Sequence, residues 1–151
     1  MKILIVEDST AADELARMLI DLGHEVMLRD NLADAEYDIL GIDETPTHEF
    51  DVLLLDYMME IGYLPEHLCQ KAIDNDEAGG WVFYYDLVKK DTHLFNNTIF
   101  YTTLLDSLRD VSEAYDIKYK SLKILPKHFD GLLIDEMERL LTLCKPRPKG
   151  D

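Results

Sequence analysis

Residues 50–60 read FDVLLLDYMME, in which an apolar run ends in an acidic residue. Four consecutive apolar residues, Val52 to Leu55, run directly into Asp56. A short continuous apolar run is typical of a strand covered on both faces in a parallel sheet. Because a lone carboxylate is costly to bury in an apolar interior, we expect Asp56 to lie at the rim of the sheet.

The N-terminus has the same design. In MKILIVEDS, residues 1–9, an apolar run leads straight into Glu7 and Asp8. Ligands of open parallel sheets collect outside the carboxyl ends of the strands. The sequence therefore predicts that two strands deliver carboxylates to the same edge of one sheet.

The rest of the chain alternates between strand and helix patterns. Strands are predicted at residues 2–6, 24–30, 50–56, 98–103 and 121–125. Helices are predicted at 10–22, 31–41, 79–91, 104–115 and 129–144, with Gly23 as a C-terminal cap and residues between Tyr57 and Ala78 irregular. Five alternations predict an α/β fold, a doubly wound parallel sheet with helices on both faces.

Composition narrows the function classes. The formal net charge of −16 argues against unaided nucleic-acid binding, since nothing would offset repulsion from phosphates. No apolar run approaches the roughly 18 residues of a membrane span, and no signal-peptide pattern is present. We therefore expect a cytoplasmic protein without a membrane partner. Cys69 and Cys144 lack CxxC partners, so neither a disulfide framework nor a zinc site is indicated.

Candidate site residues follow the predicted strand ends. They are Glu7, Asp8, Asp56, Thr102 and Lys127. Three converging carboxylates repel one another, and Mg²⁺, a hard cation that prefers oxygen ligands, would relieve that repulsion. A hydroxyl and an ammonium group beside them suit phosphoryl transfer, which needs mainly positioning and charge stabilisation.

Four motifs in order, ILIVEDS, VLLLDYMM, IFYTT and ILPKHFD, resemble the receiver domain of bacterial two-component response regulators. The resemblance covers residues 1–144 and leaves 145–151 as a disordered tail or the start of a linker. It implies the flavodoxin-like receiver fold, a five-stranded sheet with strand order 2-1-3-4-5.

The resemblance also implies roles for the acids. Asp56 would be the phospho-acceptor. Asp8 would ligate Mg²⁺ directly, Glu7 would bind it often through water, and the backbone carbonyl of Met58 would complete the protein ligands.

The hydroxyl and the ammonium each have a competitor nearby. Thr102 would hydrogen-bond the phosphoryl group, with Thr103 as the alternative. Lys127 would pair with the phosphoryl charge, with Lys123 as the alternative, although Lys123 lies early in the apolar run.

Some residues depart from the family pattern. His128, not proline, follows the lysine, so a family-like cis bond there would be strained. Ile124 stands where an aromatic side chain commonly reports phosphorylation, so we expect switching to run through the loop 103–107. Met58 and Leu104 are apolar and would restrict attacking water, which implies slow autodephosphorylation. The segments 58–78 and 36–50 are longer than expected from the family pattern.

These expectations favour a stand-alone receiver that accepts phosphoryl from a histidine kinase or a phosphotransfer protein and acts by binding a partner protein. At most it would catalyse its own phosphorylation and dephosphorylation. The main alternative is a pseudo-receiver, an interaction module not phosphorylated in use. An aspartyl-phosphate hydrolase would need an aspartate where Met58 stands. A flavin binder would need a glycine-containing phosphate loop where EDSTAADE stands.

Overall fold

A computed structural model of the protein describes residues 1–41, 45, 48–59, 66–75, 77–127 and 133–148. The strands are β1 (Lys2–Val6), β2 (Glu25–Arg29), β3 (Val52–Asp56), β4 (Thr98–Thr102) and β5 (Lys123–Pro126). The helices are α1 (Ala11–Asp21), α2 (Leu32–Leu40), α3 (Glu66–Asn75), α4 (Gly79–Asp86), α5 (Thr92–Asn96), α6 (Leu105–Ala114) and α7 (Leu133–Thr142). Short 3₁₀ turns cover Val88–Lys90 and Tyr119–Ser121.

The five strands form one parallel sheet in the order β2-β1-β3-β4-β5. The predicted fold class and strand order are therefore confirmed. β3 lies between β1 and β4, and its five residues are all buried. Because all strands run the same way, their carboxyl ends meet at one edge, which we call the carboxyl edge.

The sheet is covered on both faces because alternate strand residues point to opposite sides. Leu53 and Leu55 of β3 pack in a cluster with residues of α2, α3, α4 and α6. Val52 and Leu54 pack on the other face with residues of α1 and α7. Burying each such side chain contributes about 1.5–3 kcal/mol, so apolar burial fixes the position of the polar residues at the strand ends.

The connection between β3 and β4 differs from the prediction. The region predicted to be irregular contains α3, whose Leu68 and Ala72 are buried one helical turn apart. Cys69 packs against the same core, but Ile73 is exposed and the other six residues are polar or charged, so the sequence pattern of this helix is weak. The predicted helix 79–91 ends at Asp86 and gives way to a 3₁₀ turn, and the five-residue α5 follows it. Three helices, not one, lie in the described part of this connection.

Gly80 allows α4 to begin directly against the end of β3. Its N–H donates to the carbonyl oxygen of Tyr57 at 3.0 Å. A Cβ on Gly80 would lie 2.3 Å from the Asp56 carbonyl oxygen and 2.6 Å from that of Tyr57. The absence of a side chain here is therefore a packing requirement, and it fixes the backbone that carries Asp56.

The predicted end of the first helix is confirmed at Gly23, which has φ of +93° and donates to the Ile20 carbonyl. The predicted closing helix is observed from Leu133, and residues 128–132 lie outside the described ranges. Within those ranges no helix is both long and apolar enough to cross a membrane.

The segment after α7 returns to the opposite edge of the sheet. The Arg147 backbone N–H donates to Asp51 Oδ1 at 2.6 Å, and the other oxygen of Asp51 accepts from the Lys2 N–H at 2.7 Å. The Arg147 guanidinium pairs with both carboxylate oxygens of Asp91 and with the Phe50 carbonyl. Residues 149–151 of the predicted tail lie outside the described part of the chain.

Candidate functional site

Three carboxylates meet at the carboxyl edge. Ligand atoms of Glu7, Asp8 and Asp56 all lie within 4.8 Å of one another. Glu7 and Asp8 follow β1, and Asp56 ends the adjacent strand β3. Glu7 and Asp56 are each only 3% exposed, whereas Asp8 is exposed. The strand ends thus bring together two buried acids and one that faces solvent.

Lys127 lies beside two of the three acids. Its Nζ lies 3.1 Å from Glu7 Oε2 and 3.2 Å from Asp56 Oδ1. Its backbone N–H donates to the Thr102 carbonyl at 3.0 Å, which anchors the lysine to the end of β4. Burial disfavours the ammonium, but the charges of Asp56 and Glu7 outweigh burial and raise the pKa of Lys127.

The two oxygens of Asp56 are in different situations. Oδ1 accepts from the Met58 N–H at 3.0 Å and lies beside the Lys127 ammonium. Among the described residues, no hydrogen bond or ion pair involves Oδ2. One oxygen of this carboxylate is therefore held in place while the other remains available.

Glu7 is incompletely paired. Its Oε1 accepts from the Ser9 N–H at 3.2 Å. Its Oε2 is buried and, in the described part of the chain, has only the Lys127 ion pair as a polar contact. Burial, followed by the neighbouring Glu7, raises the pKa of Asp8. One ammonium thus faces three acids, and a hard cation suits this excess of oxygen donors.

The structure separates the competing hydroxyl and lysine candidates. Thr102 is buried at the end of β4, and its Oγ1 accepts from the Leu104 N–H at 2.9 Å. Thr103 follows the strand with an exposed side chain. The ammonium of Lys123 donates to the Asn96 carbonyl, remote from the acids at the other end of β5. Of the two lysines, Lys127 is the one beside the acids.

Residues that depart from the family pattern have distinct positions. The side chains of Met58 and Leu104 are 46% and 42% exposed, so both present apolar surface next to the site. Ile124 is partly buried against the core cluster that contains Phe100. His128 lies outside the described residues.

Two contacts were missed by the sequence reasoning. The Lys127 ammonium lies 5.0 Å from the centre of the Tyr101 ring, a distance typical of cation–π contact. The Tyr57 hydroxyl lies 2.7 Å from Ser107 Oγ and so connects the residue after Asp56 to α6. The position of each tyrosine beside a candidate residue was a weak signal, but neither partner is close in sequence.

Several solved structures that are similar to this chain are response regulators or their receiver domains. The chain is similar to chemotaxis protein CheY4 of Vibrio cholerae, at 18% identity and a TM-score of 0.62, over 94% of this chain and 96% of the other. It is also similar to the receiver domain of HemR from Leptospira biflexa, at 19% identity and a TM-score of 0.62, over 97% of this chain and 98% of the other. A third similar structure is the receiver domain of a Francisella response regulator, at 22% identity and a TM-score of 0.60, over 94% of each chain.

The protein therefore has the receiver fold, and the predicted resemblance is confirmed at the level of the fold. No family profile matches the chain. No curated protein is significantly similar to it in sequence.

Proposed function

We propose that this protein is a phosphorylation-dependent signalling receiver whose Asp56 accepts a phosphoryl group from a histidine kinase or a phosphotransfer protein. One observation carries the proposal. The Asp56 carboxylate ends the central strand β3 with Oδ1 held and Oδ2 available, between two acids and the Lys127 ammonium. The receiver fold of the solved neighbours supports it.

The transfer is a single displacement at phosphorus. Oδ2 of Asp56 forms a bond to phosphorus while the bond from phosphorus to the donor's imidazole nitrogen breaks, and the electron pair leaves with the imidazole. No general base is needed, because an aspartate is ionised near neutral pH. Lys127 and the Thr102 hydroxyl lie at the ends of β5 and β4, where they would meet the charge of the incoming oxygens.

The proximity of the three carboxylates supports Mg²⁺ as the cofactor. Asp8, Asp56, the Met58 carbonyl and Glu7 would hold the ion, which when bound supplies charge neutralisation for the phosphoryl group. The chain's own contribution is orientation. The Met58 N–H holds the acceptor carboxylate, and the Lys127 ammonium, now paired with Glu7 and Asp56, would turn toward the phosphoryl oxygens.

Labelling by acetyl phosphate with Mg²⁺ tests this proposal. Intact-mass measurement should detect one added phosphoryl group, which Asp56→Asn abolishes. Asp30→Asn is the matched control, because it removes an exposed acid that follows the neighbouring strand β2. A label that persists in Asp56→Asn would place the acceptor elsewhere.

Absence of label in the wild type would favour the alternative, a pseudo-receiver that acts as an interaction module. Two observations favour that alternative. Lys127 already pairs with both buried acids, and the residue at position 124 is not aromatic. In either case the output is protein binding, and the net charge of −16 disfavours direct contact with nucleic acid.

A further inference from the structure

A groove of about 980 Å³ lies directly beside the candidate site. It is lined on one side by residues 57–59, on the other by α6, and also by the segment 77–79 at the start of α4. Met58 and Leu104, both about half exposed, flank it with flexible or branched apolar side chains. The methionine side chain adapts to irregular partners, so the groove suits an apolar side chain from another molecule.

The charged residues of the groove have one sign. Glu77 and Asp110 line it, and no lysine, arginine or histidine is among its described lining residues. The Oε1 of Glu77 accepts from the Tyr115 hydroxyl, whereas Oε2 is buried and has no hydrogen-bond partner in the described part of the chain. Among the described residues no cation pairs with Glu77, so its charge attracts a lysine or arginine brought into the groove.

The groove is also connected to the candidate site. The Met58 N–H donates to Asp56 Oδ1, and the Leu104 N–H donates to Thr102 Oγ1. The hydrogen bond between Tyr57 and Ser107 joins the two sides of the groove. A phosphoryl group on Asp56 would offer new acceptor oxygens to the Met58 N–H and to the Thr102 hydroxyl proton, and reorientation of these groups would alter both sides of the groove.

We propose that this groove docks a basic amphipathic segment of a partner protein, with apolar side chains against Met58 and Leu104 and a lysine or arginine at Glu77. The protein's excess of 31 acidic over 15 basic residues favours the approach of such a segment. We further propose that phosphorylation of Asp56 changes the affinity, and this second step rests on the proposed function.

A defined probe tests the docking step. The probe is a fluorescein-labelled synthetic helix of leucine and lysine with apolar residues at i, i+3 and i+4, and its scrambled sequence is the control. Fluorescence anisotropy at physiological salt should show tighter binding of the amphipathic peptide. Equal binding of the two peptides would overturn the proposal, because bulk charge alone would then explain the attraction.

Groove variants locate the binding. Glu77→Gln and Ala114→Lys should each weaken binding at least about fivefold, as expected for loss of a charge-assisted contact or introduction of a like charge. Glu113→Gln and Ala33→Lys make the same changes at exposed helix positions outside the groove and should stay within about twofold. Equal losses in all four variants would overturn the proposal.

Two further measurements separate the remaining outcomes. If sedimentation shows a dimer that Ala114→Lys dissociates, the groove belongs to a second copy and the peptide proposal is wrong. Beryllofluoride with Mg²⁺ should shift peptide affinity in the wild type and not in Asp56→Asn. If acetyl phosphate labels the protein but beryllofluoride leaves the peptide affinity unchanged, only the coupling of docking to phosphorylation is wrong. If acetyl phosphate does not label the protein, the proposed function is wrong, and the groove variants alone decide the docking proposal.

Discussion

The Lys127 ammonium lies 3.2 Å from Asp56 Oδ1, so the candidate acceptor is already paired with a cation. The same nitrogen lies 3.1 Å from Glu7 Oε2, and both acids are nearly inaccessible to solvent. One side chain thus balances part of the charge of two buried carboxylates. Removal of that side chain would leave both acids short of a partner.

Lys127→Met should therefore destabilise the protein by about 1–3 kcal/mol without Mg²⁺, because buried acceptors left without a partner are unfavourable. Mg²⁺ should restore part of the loss. Urea unfolding with and without the ion measures both effects. Lys123→Met, which removes an ammonium bonded only to the Asn96 carbonyl in the described structure, is the control. Equal losses in the two variants would contradict the role given to Lys127.

Asp8→Asn should have opposite effects on stability and on metal affinity. The pKa of Asp8 is raised in the folded protein, so the folded state binds more protons than the unfolded state just above the usual pKa, about 3.9. The contribution of Asp8 to stability therefore falls as pH rises through this window. Without Mg²⁺ the variant should be more stable than the wild type at neutral pH. This advantage should vanish below the usual pKa of an aspartate, about 3.9, where Asp8 is protonated in both the folded and the unfolded state.

Chemical unfolding at a series of pH values checks the sign, with Asp21→Asn as a control at the far end of α1. Titration with Mg²⁺ should show at least about tenfold weaker binding for Asp8→Asn, since a direct carboxylate ligand is lost. Unchanged affinity would place the metal elsewhere.

Gly80→Ala should destabilise the protein by about 1–3 kcal/mol through crowding, because its Cβ would press on backbone that cannot withdraw easily. Gly23→Ala tests a different cause. No atom lies within 4 Å of a Cβ there, but φ is +93°, so the expected loss of about 1 kcal/mol comes from backbone strain. Asparagine should relieve the loss at Gly23 and worsen it at Gly80. Thermal unfolding of the four variants distinguishes the two mechanisms.

Switching should run through Thr102 and the loop that follows it. Since Ile124 is not aromatic and a phosphoryl group acts only through differential contacts, beryllofluoride should change amide exchange most at 102–107 and at 57–59. Tyr57→Phe removes the hydroxyl bonded to Ser107 and should shrink the response of α6. Protection confined to residues 122–126 would contradict this route, and the Asp56→Asn protein should show no response.

Sequence reasoning succeeded where chemistry follows a strand end. The apolar runs before Glu7 and Asp56 placed β1 and β3, and their parallel arrangement brought the acids to one edge. It failed where a contact joins distant segments. The side-chain contact between His67 in α3 and Glu36 in α2 spans 31 residues and leaves no local pattern. The bond between Tyr57 and Ser107 spans 50 residues and depends on how α6 packs.

The carboxylate of Asp51 accepts from the backbone N–H groups of Lys2 and Arg147, one on each oxygen. This aspartate fastens the first strand and the segment after the last helix to the same point, so the covalent chain between residues 2 and 147 is closed into a ring by two hydrogen bonds. The Asp51 N–H also donates to the Lys2 carbonyl oxygen at 2.7 Å, so Lys2 and Asp51 are joined by two hydrogen bonds and Arg147 to Asp51 by one through its backbone. Release of residue 147 would therefore open the ring while the first strand keeps both of its bonds to Asp51.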